Sequence, residues 1–230
     1  DISGLTGTST SPRIVGIDGD GTGKWMFGQA GRIYYSTDDG ASWAVSTPFS
    51  GDSGDNVVDE ITGIKYTNSS WVISYEQSSG SNTFIRSCAA SDITDWSNGV
   101  DTGAPTMGTG DHKRTTIASY SGRICVAPNK ALDPNNSSNA IIARADVSGK
   151  TISNVTAITL SIGNTTDNVR DLATDGITWM ITTLNGDVWE STDNAASWSK
   201  TLDNMGATND TNGVSGDDPM TVTPNVYGPL

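Results

Sequence analysis

Residues 36–43 read Ser-Thr-Asp-Asp-Gly-Ala-Ser-Trp, and residues 191–198 read Ser-Thr-Asp-Asn-Ala-Ala-Ser-Trp. A string that recurs nearly intact 155 positions later marks an internal repeat, and the repeat period dictates the architecture. Each residue type suits a tight turn. Ser36 and Asp38 can accept hydrogen bonds from nearby backbone N–H groups, closing a loop that lacks ladder partners. Gly40 can take a positive φ without a steric penalty. Trp43 can then bury its indole between neighbouring sheets, its N–H aimed at a carbonyl. The second string keeps Ser191, Asp193 and Trp198 but has Ala195 where the first has glycine. Either Asn194 takes the left-handed position there, or that turn has another shape.

The repeat reaches well upstream of each string. Residues 14–43 run Ile-Val-Gly-Ile, a polar turn, Lys-Trp-Met-Phe-Gly, then Gly-Arg-Ile-Tyr-Tyr and the first string. Residues 169–198 run Val-Arg-Asp-Leu, a turn, Thr-Trp-Met-Ile-Thr, then Gly-Asp-Val-Trp-Glu and the second. Each is three short β-like runs with a fourth after the closing Trp. A weaker copy covers 61–96 and closes at Asp92 and Trp96; another, over 117–152, has no closing Trp. Trp25, Trp71, Arg123 and Trp179 placed in register give spacings of 46, 52 and 56 residues. Four-stranded propeller blades repeat at roughly 40–50 residues, and no run of ten residues has helical periodicity.

The first string fits the pattern Ser-x-Asp-x-Gly-x-Ser/Thr-Trp and so resembles the Asp-box, or BNR, repeat of sialidase-like β-propellers. The resemblance implies a folding device on the outer hairpin of a blade, away from the ligand face. Ser36, Asp38, Gly40, Trp43, Ser191, Asp193 and Trp198 are therefore expected to be structural. The fold class expected is all-β: a small propeller of about four four-stranded blades, or an arc of a larger one. The repeats fall at about 13–58, 59–112, 113–166 and 167–212 of a single domain, with 213–230 as a closing strand or docking tail. The Asn/Ser-rich stretch 133–139 reads as a long hairpin loop.

Composition agrees. The chain has 26 Gly in 230 residues and only 34% hydrophobic residues, which suffices where each strand buries one face. Its net charge of −13 disfavours nucleic acid and anionic membranes as partners. No apolar run approaches the roughly 18 residues that span a bilayer, so no membrane insertion is expected. Cys88 and Cys125 fall in different repeats and read as two buried thiols; with one His they make a zinc site improbable. Asp18-Gly-Asp20-Gly-Thr22-Gly23 matches the first half of an EF-hand loop, yet Gln29 stands where a bidentate Glu is needed. The repeat gives that slot to an ordinary hairpin turn. No metal and no cofactor is expected.

A sialidase-like glycoside hydrolase would need three convergent arginines, a Tyr nucleophile with Glu, and an Asp acid/base. The chain has seven Arg, of which Arg86, Arg123 and Arg144 sit in strand-like runs, and only three Glu. Glu76 follows Tyr75, but neighbours in a strand point to opposite faces. The expectation is a non-enzymatic structural or interaction propeller. Its acidic, Lys- and Cys-poor, Gly/Ser/Thr/Asn-rich makeup resembles bacteriophage virion proteins. Its partners would then be other structural proteins of an assembly, and its location the virion. The alternatives are a secreted or cell-surface propeller that grips a glycan or protein and, behind it, the glycoside hydrolase.

Overall fold

The computed structural model describes residues 14–29, 31–49, 60–76, 82–105, 115–128, 132–133, 136–162 and 169–203. They form four antiparallel sheets and, among the described residues, no helix. The first sheet is a meander of β1 (Ile14–Gly19), β2 (Trp25–Gln29), β3 (Arg32–Ser36) and β4 (Ala44–Ser46). The second runs β5 (Glu60–Thr67), β6 (Ser70–Glu76), β7 (Asn82–Ala89) and β8 (Val100–Pro105). The third is built from β9 (Thr115–Tyr120), β10 (Arg123–Pro128), β12 (Asn136–Ser148) and β13 (Thr151–Ser161), with β11 (Leu132–Asp133) paired to β12. The fourth returns to the simple meander: β14 (Val169–Thr174), β15 (Trp179–Thr183), β16 (Val188–Ser191) and β17 (Ser199–Leu202). These are the blades of a small β-propeller, or an arc of one. The closing strand or tail expected at 213–230 lies outside the described residues.

The first strand of each blade is the hub strand. β1 packs against β5, β5 against β9 and β9 against β14, but no comparable packing joins β14 to β1. Three hub strands carry a register step, between Val15 and Ile17, Ile61 and Gly63, and Val169 and Asp171. Such bulges sharpen local twist, as blades wedged around an axis require. Close approach at the hub explains Gly63, where an added Cβ would lie 2.6 Å from the Thr115 carbonyl oxygen. Beside it the buried Thr62 hydroxyl lies 3.0 Å from the Ser74 hydroxyl and 2.8 Å from that of Thr115, tying β5 to β9.

Strand alternation sends one set of side chains to the preceding blade and the other to the following one. Val15, Met26 and Ile33 of the first blade meet Ile61, Ile64, Trp71 and Ile73 of the second. Val72 and Ile85 then meet Ile124 and Val126 of the third. Ala118, Cys125 and Ala127 meet Leu172, Trp179 and Ile181 of the fourth. The rule corrects the repeat register in the third blade. Ile124, not Arg123, occupies the position of Trp25, Trp71 and Trp179, because Arg123 lies on the same face as Cys125, toward the fourth blade. Two further readings change. Residues 136–139 belong to β12 rather than to a long loop. The β12–β13 connection is a two-residue turn at Gly149-Lys150, which leaves no room for a closing Trp.

Both cysteines are buried thiols. Burial pushes each up to about 12. Trp43 is half-buried rather than enclosed between sheets, because no described strand precedes β1. Its ring instead packs on Phe27 of its own sheet, 4.9 Å between centroids. Trp198 is also half-buried, against the cluster shared by the third and fourth blades. The fully buried Trp71 and Trp179 hold the blades together. Trp71→Ala and Trp179→Ala are each expected to cost about 3–5 kcal/mol, and Trp43→Ala clearly less. Denaturant midpoints followed by circular dichroism measure this; equal losses at the three sites would contradict it.

Candidate functional site

In a four-stranded meander the first and third turns lie at the same end of the blade. Across the arc, these turns form one face on which the polar residues singled out by the sequence are gathered. In the β3–β4 turn Ser36 Oγ donates to Asp38 Oδ1 at 2.7 Å, and the Gly40 amide donates to Ser36 Oγ at 2.8 Å. Ser42 donates to the same carboxylate twice, from its amide to Oδ1 (2.9 Å) and from its hydroxyl to Oδ2 (2.5 Å). Trp43 Nε1 donates to the Gly40 carbonyl at 3.1 Å. The β16–β17 turn repeats the core of this pattern. Ser191 donates to Asp193 at 2.7 Å, and Ser197 donates through its amide (2.8 Å) and hydroxyl (2.6 Å).

The backbone repeats as well. Asp39 and Gly40 have φ of 59° and 84°; Asn194 and Ala195 have 63° and 61°. The first alternative left by the sequence holds, since Asn194 is left-handed, and Ala195 joins it in the same region. Alanine pays a steric cost there, offset because its methyl is buried in the apolar cluster of the last two blades. The Trp198 indole N–H finds no acceptor, and the Asn194 carbonyl takes a hydrogen bond from Arg123 of the third blade at 3.2 Å. Gly40→Ala, which gains no buried methyl, is expected to cost about 1–2 kcal/mol. Ala195→Gly should change stability by less than about 1 kcal/mol, since losing a buried methyl of about 0.8 kcal/mol cancels the strain relieved. Thermal midpoints of the two variants decide this.

Several other polar residues of this face clamp one blade to the next. Asp18 accepts the Tyr66 amide at 2.7 Å and lies 3.4 Å from Lys65 Nζ. Lys24 Nζ donates to the Ala90 carbonyl at 3.1 Å, and Trp96 Nε1 to Ser46 Oγ at 3.0 Å. The Gly149 amide donates to Ser70 Oγ at 2.7 Å, and Lys150 pairs with Asp95 at 2.6 Å. Asp20 closes its own hairpin, accepting from the amides of Thr22 (2.8 Å) and Lys24 (3.1 Å) and from the Thr22 hydroxyl (2.8 Å). The carboxylates of the calcium-like segment thus have protein donors. Among the described residues no group of three or more His, Cys, Asp or Glu side chains gathers as a metal ligand set.

Among the described residues, two open clefts lie on this face. One, of about 590 Å³, lies within the first blade between the 19–23 turn, Trp25 and Asp39. The other, of about 460 Å³, lies between the third and fourth blades beside Tyr120, Arg123, Asp146, Ile177 and Asn194. Sequence reasoning missed the second because it is assembled from turns more than fifty residues apart. Its Arg123 is forked onto Asp146, with Nε at 2.5 Å and Nη2 at 3.1 Å. Burial pushes the Asp146 carboxyl up, but hydrogen bonds from Arg123 and Asn154 outweigh it and leave it low. Neither cleft brings arginines together. Arg86 is buried elsewhere, donating to the Pro48 carbonyl at 2.6 Å, and Tyr75 and Glu76 point to opposite faces of β6. Arg13 and Arg114 lie outside the described residues.

The Ser42 hydroxyl and amide, with Ser36, hold the Asp38 carboxyl down to about 2. The corresponding donors, led by Ser197, lower Asp193 further. A carboxyl depressed in the folded state contributes stability above its unfolded value of roughly 3.9 and loses it as pH falls through the folded value. Removing Asp38 as Asp38→Asn should therefore lower the thermal midpoint at pH 5, and the gap from wild type should shrink between pH 4 and pH 2. Midpoints measured over that range check the sign; a gap that widens on acidification would contradict it.

No protein-family model and no curated protein matches the sequence. Solved structures do match. The chain superposes on a prolyl endopeptidase with a TM-score of 0.51 at 12% identity, over 84% of this chain and 29% of that one. On virginiamycin B lyase from Staphylococcus aureus the TM-score is 0.50 at 13% identity, over 85% of this chain and 57% of that one. The computationally designed Ika4 protein gives 0.49 at 10% identity, over 81% and 95%. The chain spans less than two thirds of the length of the first two. At these identities the likeness concerns the fold, which is that of β-propellers.

Proposed function

We propose that this protein is a non-enzymatic structural propeller that docks other proteins, and that its place is a bacteriophage particle. One observation carries the non-enzymatic reading. The ionised groups of the turn face are occupied in construction: Asp38 and Asp193 close turns, and Arg123 with Asp146 ties the third blade to the fourth. A general acid or nucleophile must be able to give up or share its protons and lone pairs with a substrate. Carboxylates held low by several protein donors are poor candidates. The likeness of the two octapeptides to Asp-box repeats supports the same reading, since such boxes are folding devices. The virion assignment rests on composition: 26 acidic against 13 basic residues, few Lys and two Cys, with abundant Gly, Ser, Thr and Asn.

A second reading, an extracellular glycan- or protein-binding propeller, draws on the cleft between the third and fourth blades. There the exposed Tyr120 ring and the Arg123–Asp146 pair offer an aromatic platform beside polar groups. Purified protein is expected to turn over neither sialosides nor aryl glycosides, and mass spectrometry of purified virions is expected to find the polypeptide. Turnover abolished by Arg123→Ala or Arg86→Ala would overturn the non-enzymatic reading. Absence from virions, together with glycan binding lost in Tyr120→Ala, would put the second reading first.

A further inference from the structure

Eight of the nine large apolar side chains that stand exposed among the described residues belong to the first and last blades. Their positions follow the repeat. Strand pairing makes Ile17 and Trp25 the equivalents of Ile64 and Trp71 in the second blade and of Leu172 and Trp179 in the fourth. In the second and fourth blades these side chains are buried against the blade before them. Trp71 is 1% exposed and Trp179 0%, whereas Trp25 is 39% exposed. The other end shows the converse. Met26, which faces the following blade, is 0% exposed; Met180 holds the same place in the last blade and is 40% exposed. One end of the arc thus presents the inserting half of a blade junction, with Ile14, Ile17 and Trp25 open beside the already buried Phe27 and Tyr34, and the other end the receiving half.

The two halves are also opposite in charge. The strand residues on the outward face of the first blade include Arg32, and those on the outward face of the last include Asp171 and Glu190 with Arg170 at the hub bulge, which leaves an excess of one acid. Among the described residues one end does not cover the other, since β14 does not pack against β1 as the remaining hub strands pack in sequence. We propose that the two end faces mate head to tail between two copies of this chain, closing a ring of eight blades. Each new junction then sets Met180 of one copy against Ile14, Ile17 and Trp25 of the other, as Met26 meets Ile61, Ile64 and Trp71 within the chain. Two arcs rather than three follow from propeller size, because rings of about four to eight blades are the ordinary range. A head-to-tail contact terminates when its rotation closes, and with two copies both end faces are satisfied. The proposal is independent of the virion assignment.

The 230-residue chain is examined by size exclusion with light scattering and by native mass spectrometry. It is expected at about 48 kDa, twice its 24.0 kDa. Ile17→Asp and Met180→Asp alter opposite ends at exposed positions, and each is expected to run at the single-chain mass with an unchanged far-ultraviolet spectrum. If either fails to fold, Ile17→Ser and Met180→Ser replace them. Mixed at high concentration, the two variants are expected to re-form a two-chain species, because one junction between them remains intact. Three results would overturn the proposal: wild type at the single-chain mass, an assembly larger than two chains, or a dimer that survives one substitution and not the other. The last would mean that copies meet through a single face about a two-fold axis.

Discussion

Every blade of this protein must bury both faces of a thin sheet, and it can do so only against its neighbours. A four-stranded meander has too little depth for a core of its own, so stability resides in the junctions. Each junction is the same arrangement: a Trp or branched residue on the second strand of one blade enters the apolar patch on the second and third strands of the blade before it. Trp71 does this at the first junction and Trp179 at the third, both fully buried. At the second, Ile124 and Val126 take the part with smaller side chains. The hub bulges, the close approach at Gly63 and the hydroxyl rung through Thr62 all follow from bringing the hub strands near enough for these junctions to form.

The polar chemistry is subordinate to that packing. Asp38 and Asp193 supply acceptors to backbone donors that a tight turn leaves without ladder partners. Asp18, Lys24, Arg123 and Ser70 serve the gap between blades, where sheets splay and backbone groups would otherwise go unpaired. Such a frame is rigid because removing one donor strands its acceptor. Rigidity of this kind suits the structural role proposed above.

The octapeptides, the alternation of apolar residues and the Trp spacing are local signals, and they were enough to read an all-β repeat with its turns. They read best where an aromatic anchors the register, as at Trp25, Trp71 and Trp179. Where the third blade replaces the closing Trp turn with Gly149-Lys150, the sequence alignment slipped by one residue onto Arg123. In a strand a slip of one exchanges the two faces, so a small error in sequence became a complete error in which blade each side chain meets. Asp38 and Asp193 were legible as acceptors because their donors lie within four residues. The Arg123–Asp146–Asn194 arrangement was not, because its members come from three separate strands and turns.

The sequence by itself determined the repeat unit, the turn chemistry and the absence of helical periodicity, since these depend on residues a few positions apart. Only the tertiary structure decided which apolar residues are core and which are surface. Ile17 and Ile64, or Met26 and Met180, have the same types and the same places in the repeat. They differ solely in whether another blade lies beside them. Burial is a property of the neighbour and not of the residue, so no local pattern can supply it.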